Sequence, residues 1–240
     1  MVRLQHHVVD DHHLGAIIPN DDCGSVFGVP RFAAKRAEAL HCSVDPDLYR
    51  PSPCNRRWDL GYLGTFSEDR DPTLRRLLLE PARSATNLEF AVAGSLYPDS
   101  ISWPENVERV EHLPPREHAD FYNGQRFTLN VTRSAMIRAG YSPSVRLFEA
   151  AACGTPIISD AWTGLETFFE PGVEILIATS SEDVLRFLKD IPEKQRLAIG
   201  ARARKRVLKE HTARHRAQQL VELISSSQGR DELVSEEVAA

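Results

Sequence analysis

The chain has 240 residues, which is enough for one substantial hydrophobic core. Apolar residues make up 42% of it and charged residues 26%, as in globular proteins, and no apolar run approaches the ~20 residues that span a bilayer. The four cysteines show no Cys-x-x-Cys spacing and the N-terminus has no apolar signal-peptide region, so we expect a reducing, cytoplasmic setting.

Residues 1–35 show neither helical nor strand periodicity, and we expect a poorly ordered or degenerate N-terminal segment. Histidines and aspartates cluster there between His6 and Asp22. Their spacing matches no familiar set of metal ligands, so we predict no metal site among them.

From residue 36 onward the sequence predicts regular structure. A short strand is expected at 39–44, followed by a turn at 45–46 and an extended stretch to Pro51. Short apolar strands then alternate with helices about six times. The predicted strands are 58–63, 87–94, 107–113, 127–131, 155–159 and 174–178.

This alternation predicts an α/β fold, a Rossmann-like doubly wound parallel sheet over 58–224 with C-terminal helices. The last helices, from 192 to about 224, are expected to break at Gly200 or near His211, and 225–240 to form a flexible tail. Gly61 and Gly64 are not a dinucleotide fingerprint, because the third glycine and the later acidic residue are missing.

A basic segment at 191–220 contrasts with the acidic remainder of the chain. It holds nine Lys or Arg and two Glu, a net charge of +7, and the remainder carries −12 of the total of −5. Such a segment can bind RNA or an anionic membrane surface, or it can be a solvated face that balances an acidic body. No aromatic residues are interleaved, which disfavours nucleic acid and leaves peripheral membrane contact open.

The most informative stretch runs from Ser142 to Asp160. Ser142 is a favourable N-cap and Pro143 suits the first helical position, so the amides of Ser144 and Val145 would point out of the positive end of a helix. Such a helix start can bind an anion. A capped helix that leads into a buried strand also occurs without any ligand, so the pattern alone leaves both interpretations open.

Arg146 and Glu149 lie three residues apart on this helix, so they project from one face. An arginine there can meet a phosphate and a glutamate can meet sugar hydroxyls. The alternative for Glu149 is a surface glutamate on an amphipathic helix.

Three segments together resemble the donor-binding half of a GT-B glycosyltransferase, within the group-1 family and most closely its CgeB-like, spore-maturation branch. The resemblance spans about residues 36 to 190. Its segments are Val44-Asp-Pro-Asp-Leu-Tyr-Arg-Pro51, Leu60-Gly-Tyr-Leu-Gly-Thr65 and Arg146-Leu-Phe-Glu-Ala-Ala-Ala-Cys-Gly-Thr-Pro156. In that family residues 36–57 correspond to the connection between two domains.

The resemblance implies a nucleotide-sugar donor. The helix start would hold the diphosphate, Glu149 the ribose hydroxyls, and the loop from Gly64 the phosphates. The implied donor-binding residues are Gly64, Thr65, Arg133, Ser142, Ser144, Val145 and Glu149, and the nucleobase region is His112, Leu113 and Pro114. Arg146 is the catalytic candidate, stabilising the departing diphosphate, with Arg133 a weaker one. No metal is expected, because helix amides and basic side chains would balance that charge.

Two departures from the family pattern matter. The broader group carries a Glu-x7-Glu pair whose first acid faces the donor sugar, and Tyr141 stands in that place here. GT-B enzymes also have an N-terminal acceptor domain, whereas about 40 residues precede the connection here. We therefore expect a donor-binding domain without its own acceptor domain, completed by a separate chain or left as a truncated remnant.

Three hypotheses follow from the sequence. The chain is a glycosyltransferase of the hexosyltransferase type, a non-catalytic module that holds a nucleotide or nucleotide sugar, or an interaction protein that uses the basic segment.

Overall fold

The computed structural model describes residues 16–20 and 36–238, with side chains described from residue 38 to residue 226. Most of residues 1–35, including the histidine and aspartate cluster predicted not to bind metal, lies outside the described residues. Eight strands are present in the described ranges: β1 Ala16–Asn20, β2 Arg36–Leu40, β3 Trp58–Leu63, β4 Phe90–Ala93, β5 Val107–Val110, β6 Gln125–Asn130, β7 Ile157–Ser159 and β8 Leu176–Ile177.

The described helices alternate with these strands. They are α1 Asp71–Leu74, a π-helical turn Arg75–Leu79, α2 Glu80–Ser84, a 3-10 turn Pro115–Glu117, α3 His118–Asn123, α4 Ser134–Ala139, α5 Val145–Ala152, α6 Leu165–Phe168, α7 Ser181–Asp190, α8 Glu193–Glu210 and α9 Ala213–Val238.

Strands β3 to β8 form one parallel sheet in the order β5-β4-β3-β6-β7-β8. The first strand of this sheet, β3, therefore lies in its middle. Strands β4 and β5 extend the sheet to one edge, and β6, β7 and β8 extend it to the other. This is the doubly wound order that the alternation of elements predicted, and the fold class is confirmed. The order reverses between β3 and β6, so a crevice is expected outside the carboxyl ends of these two strands.

The sheet is buried on both faces, as parallel sheets require. Leu60 in β3 lies opposite Phe90 in β4 and Phe127 in β6, and all three side chains are fully buried. One face packs against the leucines of residues 74–79 and against α7, and the other packs against α3, α5 and α8. Truncating one of these side chains to alanine is expected to cost about 2–5 kcal/mol.

The helix after β3 contains a π-helical turn, and three consecutive residues of that turn are buried. Leu77, Leu78 and Leu79 are consecutive and fully inaccessible to solvent. Successive residues of a regular helix point about 100° apart, so three neighbours can all be buried only when the helix is enclosed on several sides. The sheet and α7 provide that enclosure.

The C-terminal helices break at residues 211–212, the second of the two predicted positions, and not at Gly200. Gly200 lies inside α8, where a Cβ would come 2.1 Å from the carbonyl oxygen of Gly154. This glycine therefore permits close packing of α8 on the turn after α5. Helix α9 continues to Val238 and so includes residues 225–238 of the segment for which the sequence predicted a flexible tail. Several good helix formers and the absence of proline favour this.

Two further differences concern the segment before the sheet. The strand predicted at 39–44 is β2, Arg36–Leu40, and it pairs antiparallel with β1, an element that the sequence did not predict. Val44 instead joins the C-terminal helices: its amide donates to the His211 carbonyl and its own carbonyl accepts from Ala213. Residues 36–57 are therefore tied to the junction of α8 and α9.

Candidate functional site

The loops after β3 and β4 meet at the carboxyl edge of the sheet. The Gly64 amide donates to the Ala93 carbonyl at 2.8 Å, and the Gly64 carbonyl accepts from the Tyr97 hydroxyl at 2.9 Å. A Cβ on Gly94 would lie 2.2 Å from the Gly64 oxygen, so only glycine permits this approach. The predicted donor-binding residues Gly64 and Thr65 thus lie in a loop whose backbone is fixed at the crevice.

Arg70 fixes the same loop from the side. It is 5% exposed, and its guanidinium donates to the Thr65 carbonyl at 2.5 Å and to the Ser67 hydroxyl at 3.0 Å. The adjacent Asp69 carboxylate accepts from the backbone amide of Ser134 at 2.8 Å. These contacts join the loop after β3 to the start of α4, which follows β6, and so span the point where the strand order reverses.

Arg146 projects from α5 into the carboxyl edge and is 7% exposed. Its Nε donates to the Leu63 carbonyl and its Nη1 donates to Asn130 Oδ1 at 3.0 Å. The guanidinium carbon lies 5.0 Å from the centre of the Tyr62 ring. Nη2 has no protein acceptor among the described residues, and a Cβ on Gly64 would lie 2.8 Å from it. Arg146 therefore braces the end of β3 and directs its remaining nitrogen toward Gly64.

A buried polar network holds Asn130 in place. Asn130 Nδ2 donates to the Thr132 hydroxyl at 3.1 Å and to the Ser159 hydroxyl at 2.9 Å. The Asp160 carboxylate accepts from the Thr132 amide at 3.0 Å and from its hydroxyl at 2.8 Å. Burial raises the pKa of Asp160, although these hydrogen bonds and the charge of Arg146 oppose the rise. The network fixes the ends of β6 and β7 and leaves Asn130 Oδ1 for Arg146.

The carboxyl edge is electropositive. Burial lowers the pKa of Arg70. Tyr62 opposes this shift, and the charges of Arg146 and Arg133, each with a smaller effect than Tyr62, lower the pKa further. The Arg70 guanidinium therefore lies close enough to those of Arg146 and Arg133 to be repelled by both, and arginine stays protonated even under such conditions. A multiply charged anion would relieve their repulsion, so this arrangement is suited to binding a phosphate or diphosphate.

Helix α5 begins later than the sequence predicted. Ser144, and not Ser142, is the N-cap residue, and Val145 is the first helical residue. Pro143 therefore precedes the cap. The reason lies in the preceding turn, where Gly140 and Tyr141 both have positive φ and the Tyr141 amide donates to the Thr163 carbonyl at 2.8 Å. The Ser144 side chain does not cap the helix, and the Leu147 amide donates to the Ser144 carbonyl at 3.1 Å. Among the described residues the amides of Val145 and Arg146 have no acceptor, so these two can meet a ligand.

Glu149 lies one turn into α5 and faces α3. Its Oε2 accepts from the Tyr122 hydroxyl at 3.0 Å. Burial and the Glu149 charge raise the pKa of both Tyr122 and Tyr49, so both phenols stay protonated. The carboxylate is therefore held by the Tyr122 hydroxyl, and the Tyr49 phenol lies close enough to interact with its charge. Arg146 also acts electrostatically on Tyr122.

The remaining predicted positions lie at the same edge of the sheet but farther along. His112, Leu113 and Pro114 follow β5, two strands away from β3, and the Leu113 carbonyl lies 3.2 Å from His118 Nε2. Arg133 is the N-cap residue of α4, directly after β6. The topology thus gathers all the predicted site residues along one edge, in the order nucleobase region, phosphate loop and helix start.

Tyr141 occupies an exposed position at this edge. Its side chain is 49% exposed, and its φ of 48° is unusual for a residue with a bulky side chain. A Cβ on Gly164 would lie 2.5 Å from the Tyr141 ring, so glycine there leaves room for the ring. The tyrosine is therefore held beside the start of α5 at some cost in backbone energy.

Several basic side chains of the segment 191–220 make contacts within the fold. Arg196 is buried against Glu193 and the Arg126 carbonyl, Arg206 lies within 3.3 Å of Glu174 and 3.2 Å of Glu210, and Arg216 donates to the His41 carbonyl. These contacts favour the interpretation in which the segment balances acidic parts of the fold.

Among the residues that the structure describes, no group of three or more His, Cys, Asp or Glu side chains is arranged to hold a metal ion. No helix in that part of the chain combines the length and the apolar character of a membrane span.

Sequence reasoning missed Arg70, Asn130 and the two tyrosines beside Glu149. One feature of the sequence could have identified Arg70, because it is a basic residue one turn after the glycine loop of a central strand. Asn130 lies inside a strand and the tyrosines lie on other elements, so only the folded chain brings them to the site.

A comparison with protein families gives the class of the chain. The profile of the family described as "Glycosyl transferase-like" matches residues 70–222, well over half of the chain. The chain therefore belongs to this family.

Its relatives include the D-inositol 3-phosphate glycosyltransferases of Mycobacterium tuberculosis and Mycobacterium bovis, which are 25% identical over 233 residues. The match covers 88% of this chain and 46% of the relatives, so the chain spans about half the length of the curated proteins it matches.

Solved structures share the fold. Sucrose-phosphate synthase from Thermosynechococcus elongatus superimposes with a TM-score of 0.62 at 17% identity, over 82% of this chain and 54% of that protein. Anabaena HepE in complex with UDP-glucose gives 0.62 at 14% identity, over 78% and 57%. The C-terminal domain of the group 1 glycosyl transferase LpcC from Francisella tularensis gives 0.56 at 12% identity, over 71% of this chain and 99% of that domain. These likenesses confirm the GT-B type of Rossmann-like domain.

Proposed function

We propose that this chain binds the nucleotide-sugar donor of a glycosyl transfer reaction at the carboxyl edge of its sheet. The observation that carries the proposal is the convergence of Arg70 and Arg146 on the Gly64 loop, with Arg146 projecting from the first turn of α5. Each of these features supplies N–H donors or positive charge, and they meet where a doubly wound sheet places its ligand.

The diphosphate is the part of the donor that this edge fits best. We assign one phosphate to the amides at the start of α5, with Ser142, Ser144 and Val145 around it, and the other to the Gly64–Thr65 loop. Arg146, whose Nη2 is directed toward Gly64, and Arg133, at the start of α4, would both contact the diphosphate. When the glycosidic bond to the diphosphate breaks, negative charge grows on the leaving oxygen, and these fixed donors would stabilise it without a metal ion.

The nucleoside is assigned to Glu149 and to the loop after β5. Glu149 would accept from the ribose hydroxyls, and Tyr122 would keep its carboxylate in position. The loop of His112, Leu113 and Pro114, which lies between β5 and α3 in the chain, would border the base. Several solved neighbours hold UDP or UDP-sugars, which makes UDP the first nucleotide to test.

We assign the sugar to the surface beside Tyr141, which stands where the broader group places an acid. Such a replacement is the feature by which we further place the chain in the CgeB-like branch. An aromatic face offers apolar contact to a sugar ring, whereas a carboxylate would offer hydrogen bonds, so sugar recognition would differ from that of the broader group.

The second wall of the cleft would come from an acceptor-binding domain, and we propose that a separate chain can supply it. Three exposed apolar side chains border the site: Leu96 is 75% exposed, Tyr141 49% and Ile137 39%. Covering them would bury apolar surface and exclude water from the reacting bond. Without that wall, the chain would hold the donor as a binding module and would transfer no sugar.

A thermal-shift screen of nucleotide sugars tests donor binding. A ligand that binds only the folded state raises the unfolding temperature by mass action. We expect UDP and at least one UDP-sugar to raise it, and UMP, which lacks the diphosphate, to raise it much less. If no nucleoside diphosphate or its sugar raises the unfolding temperature, the proposed function is wrong. A transfer assay with and without an added acceptor-domain chain then separates enzyme from binding module.

A further inference from the structure

Tyr62 places a hydroxyl at the end of the central strand β3 that packing does not require. The residue is 1% exposed and lies opposite Val92 in β4 and Leu129 in β6, two fully buried apolar residues. Its ring belongs to the hydrophobic core on that face of the sheet. Because phenylalanine would fill the same space, the presence of the hydroxyl calls for a separate explanation.

This hydroxyl has no partner within the protein, and it is accessible. No hydrogen bond joins Tyr62 Oη to another of the described residues. In that part of the chain, the polar atoms that lack a partner and are sealed from solvent lie on other residues, so the small exposed part of Tyr62 includes its hydroxyl. Tyrosine hydroxyls at buried positions usually have a hydrogen-bond partner, so this one is available to a ligand.

Gly64 brings the Tyr62 hydroxyl together with Arg146. A Cβ on Gly64 would lie 2.6 Å from Tyr62 Oη and 2.8 Å from Arg146 Nη2, so both atoms lie against the same side of this glycine. Any larger residue would push them apart. Nη2 also has no acceptor among the described residues. Two unused donors, one O–H and one N–H, therefore lie next to each other at the start of the Gly64 loop.

The charges around the Tyr62 hydroxyl favour its use as a donor. The Arg146 guanidinium carbon lies 5.0 Å from the centre of the Tyr62 ring. Burial lowers the pKa of Arg70, and the Tyr62 phenol lies close enough to oppose that shift. A hydroxyl between two cations turns its oxygen toward them and its proton away, because side-chain dipoles orient in the local field. The group that this proton and the two cations suit best is an anionic oxygen.

We propose that Tyr62 is a further diphosphate-binding residue, whose hydroxyl donates to a phosphate oxygen that Arg146 Nη2 also binds. This inference rests on the proposed function, which places the diphosphate at the Gly64 loop. Hydrogen bonds to an ionised oxygen are roughly twice as strong as those between neutral groups, so one hydroxyl contributes measurably to affinity. The end of strand β3 would then contact the donor directly, in addition to the loop that follows it and the start of α5.

Calorimetric titration of UDP, and separately of pyrophosphate, into the wild type and Tyr62→Phe tests the proposal. We expect the variant to bind each of them about tenfold more weakly, as for loss of a hydrogen bond to a charged group. Its unfolding temperature without ligand should be unchanged, because the hydroxyl has no partner in the protein. Tyr97→Phe is the matched variant for stability: the Tyr97 hydroxyl donates to the Gly64 carbonyl at 2.9 Å, so its loss should lower the unfolding temperature.

A double variant tests whether Tyr62 and Arg146 share one phosphate oxygen. In the Arg146→Gln background that phosphate is no longer held by Nη2, so Tyr62→Phe should weaken UDP binding by about threefold or less. A full tenfold loss in that background would contradict the shared position.

The outcomes separate this inference from the proposed function. Equal UDP affinity in the wild type and Tyr62→Phe would overturn the role of Tyr62 and leave the donor site standing. An unfolding temperature lowered as much in Tyr62→Phe as in Tyr97→Phe would also overturn it, because the hydroxyl would then serve the fold. Pyrophosphate binding that weakens in Tyr62→Phe, in a chain to which neither UDP nor a nucleotide sugar binds, would support the role of Tyr62 and overturn the proposed function. A wild type that binds none of these ligands would overturn both.

Discussion

Arg146 donates from Nη1 to Asn130 Oδ1 at 3.0 Å, and this hydrogen bond joins helix α5 to the end of the central strand β6. It links the helix start that would bind an anion with the strand at which the sheet order reverses. Because Asn130 is itself fixed by Thr132 and Ser159, the orientation of Arg146 depends on a network that reaches Asp160. The site is therefore built from the ends of β6 and β7 as much as from α5.

Replacing Asn130 with alanine tests that dependence. Asn130→Ala removes the acceptor for Arg146 and leaves buried donors and acceptors unpaired, so we expect a loss of about 1–3 kcal/mol in the free energy of unfolding. UDP affinity, measured by calorimetry, should fall about tenfold because Arg146 Nη2 is no longer held toward Gly64. Thr128→Val is the control: Thr128 is buried in the same strand and makes only a 3.4 Å hydrogen bond to Gly61. Equal UDP affinity in the two variants would contradict the positioning role.

The guanidinium group of Arg70, and not its positive charge alone, is expected to be required for UDP binding. Arg70→Lys keeps the charge but loses the fork that reaches both Thr65 and Ser67, so we expect the Gly64 loop to loosen and UDP to bind several-fold more weakly. Arg83→Lys serves as control, since Arg83 makes a single hydrogen bond to the Ser102 carbonyl on an exposed surface. Unchanged UDP affinity in Arg70→Lys would mean that Arg70 serves the fold alone.

Glu149 is expected to contribute to binding of the nucleoside and not to binding of the diphosphate. Glu149→Ala removes the carboxylate that would bind the ribose, so UDP affinity should fall about tenfold while pyrophosphate affinity stays within about twofold of wild type. Tyr122→Phe, which removes the phenol that holds the carboxylate, should give a smaller loss in the same direction. A matching loss of pyrophosphate affinity would show that Glu149 acts through the structure of α5 instead.

His211 should make the fold sensitive to mild acid. Burial first, and then the nearby charge of Arg216, lower its pKa from 6.5 to about 4, and Arg216 donates to its Nδ1 at 2.7 Å. The unfolded chain takes up a proton below about pH 6.5 and the folded chain does not until about pH 4. Stability is therefore fully present above pH 6.5 and is lost as the pH falls toward 4, by roughly 3 kcal/mol at most.

Urea unfolding at pH 7 and pH 4.5 measures that loss. His211→Phe is the matched variant, because the ring lies among Phe148 and Phe168 and phenylalanine keeps the apolar contact. The variant should lose clearly less stability than wild type between the two pH values. An identical pH dependence in both proteins would assign the effect to other groups, such as His41, whose pKa burial also lowers.

Tyr141 is expected to lower the stability of the fold and to strengthen sugar binding. Asparagine tolerates positive φ better than tyrosine, so Tyr141→Asn is expected to stabilise the fold by up to about 1 kcal/mol, seen as a higher unfolding temperature. The same variant should bind the UDP-sugar several-fold more weakly and UDP about equally. Lower stability together with unchanged UDP-sugar affinity would assign the tyrosine a structural role only.

The sequence predicted those parts of the molecule that depend on local patterns. Strand β3 was predicted at its observed bounds, because its apolar run is flanked by clear turns, and α5 was recognised from its cap, apolar face and glycine stop. The exact start of α5 was not predictable. Ser142 and Ser144 both suit an N-cap, and the choice depends on the contact between Tyr141 and Thr163, which are distant in sequence.

The partners of the site residues depend on tertiary structure. Arg146 was identified from its place on the helix, but its engagement with Leu63 and Asn130 arises from the adjacency of β3 and β6. No spacing rule relates residues that are 83 positions apart. The same holds for Glu149, whose tyrosine partners lie on α3 and in the segment before the sheet.

Calorimetric titration of UDP into the wild-type chain and into Arg146→Gln tests the central claim most directly. We predict that the wild type binds UDP with one site per chain and much more tightly than UMP, and that Arg146→Gln, confirmed as folded by its unfolding temperature, binds UDP at least about tenfold more weakly. Equal affinity of the wild type for UDP and UMP, or of the folded variant and the wild type for UDP, would contradict a diphosphate site at the start of α5.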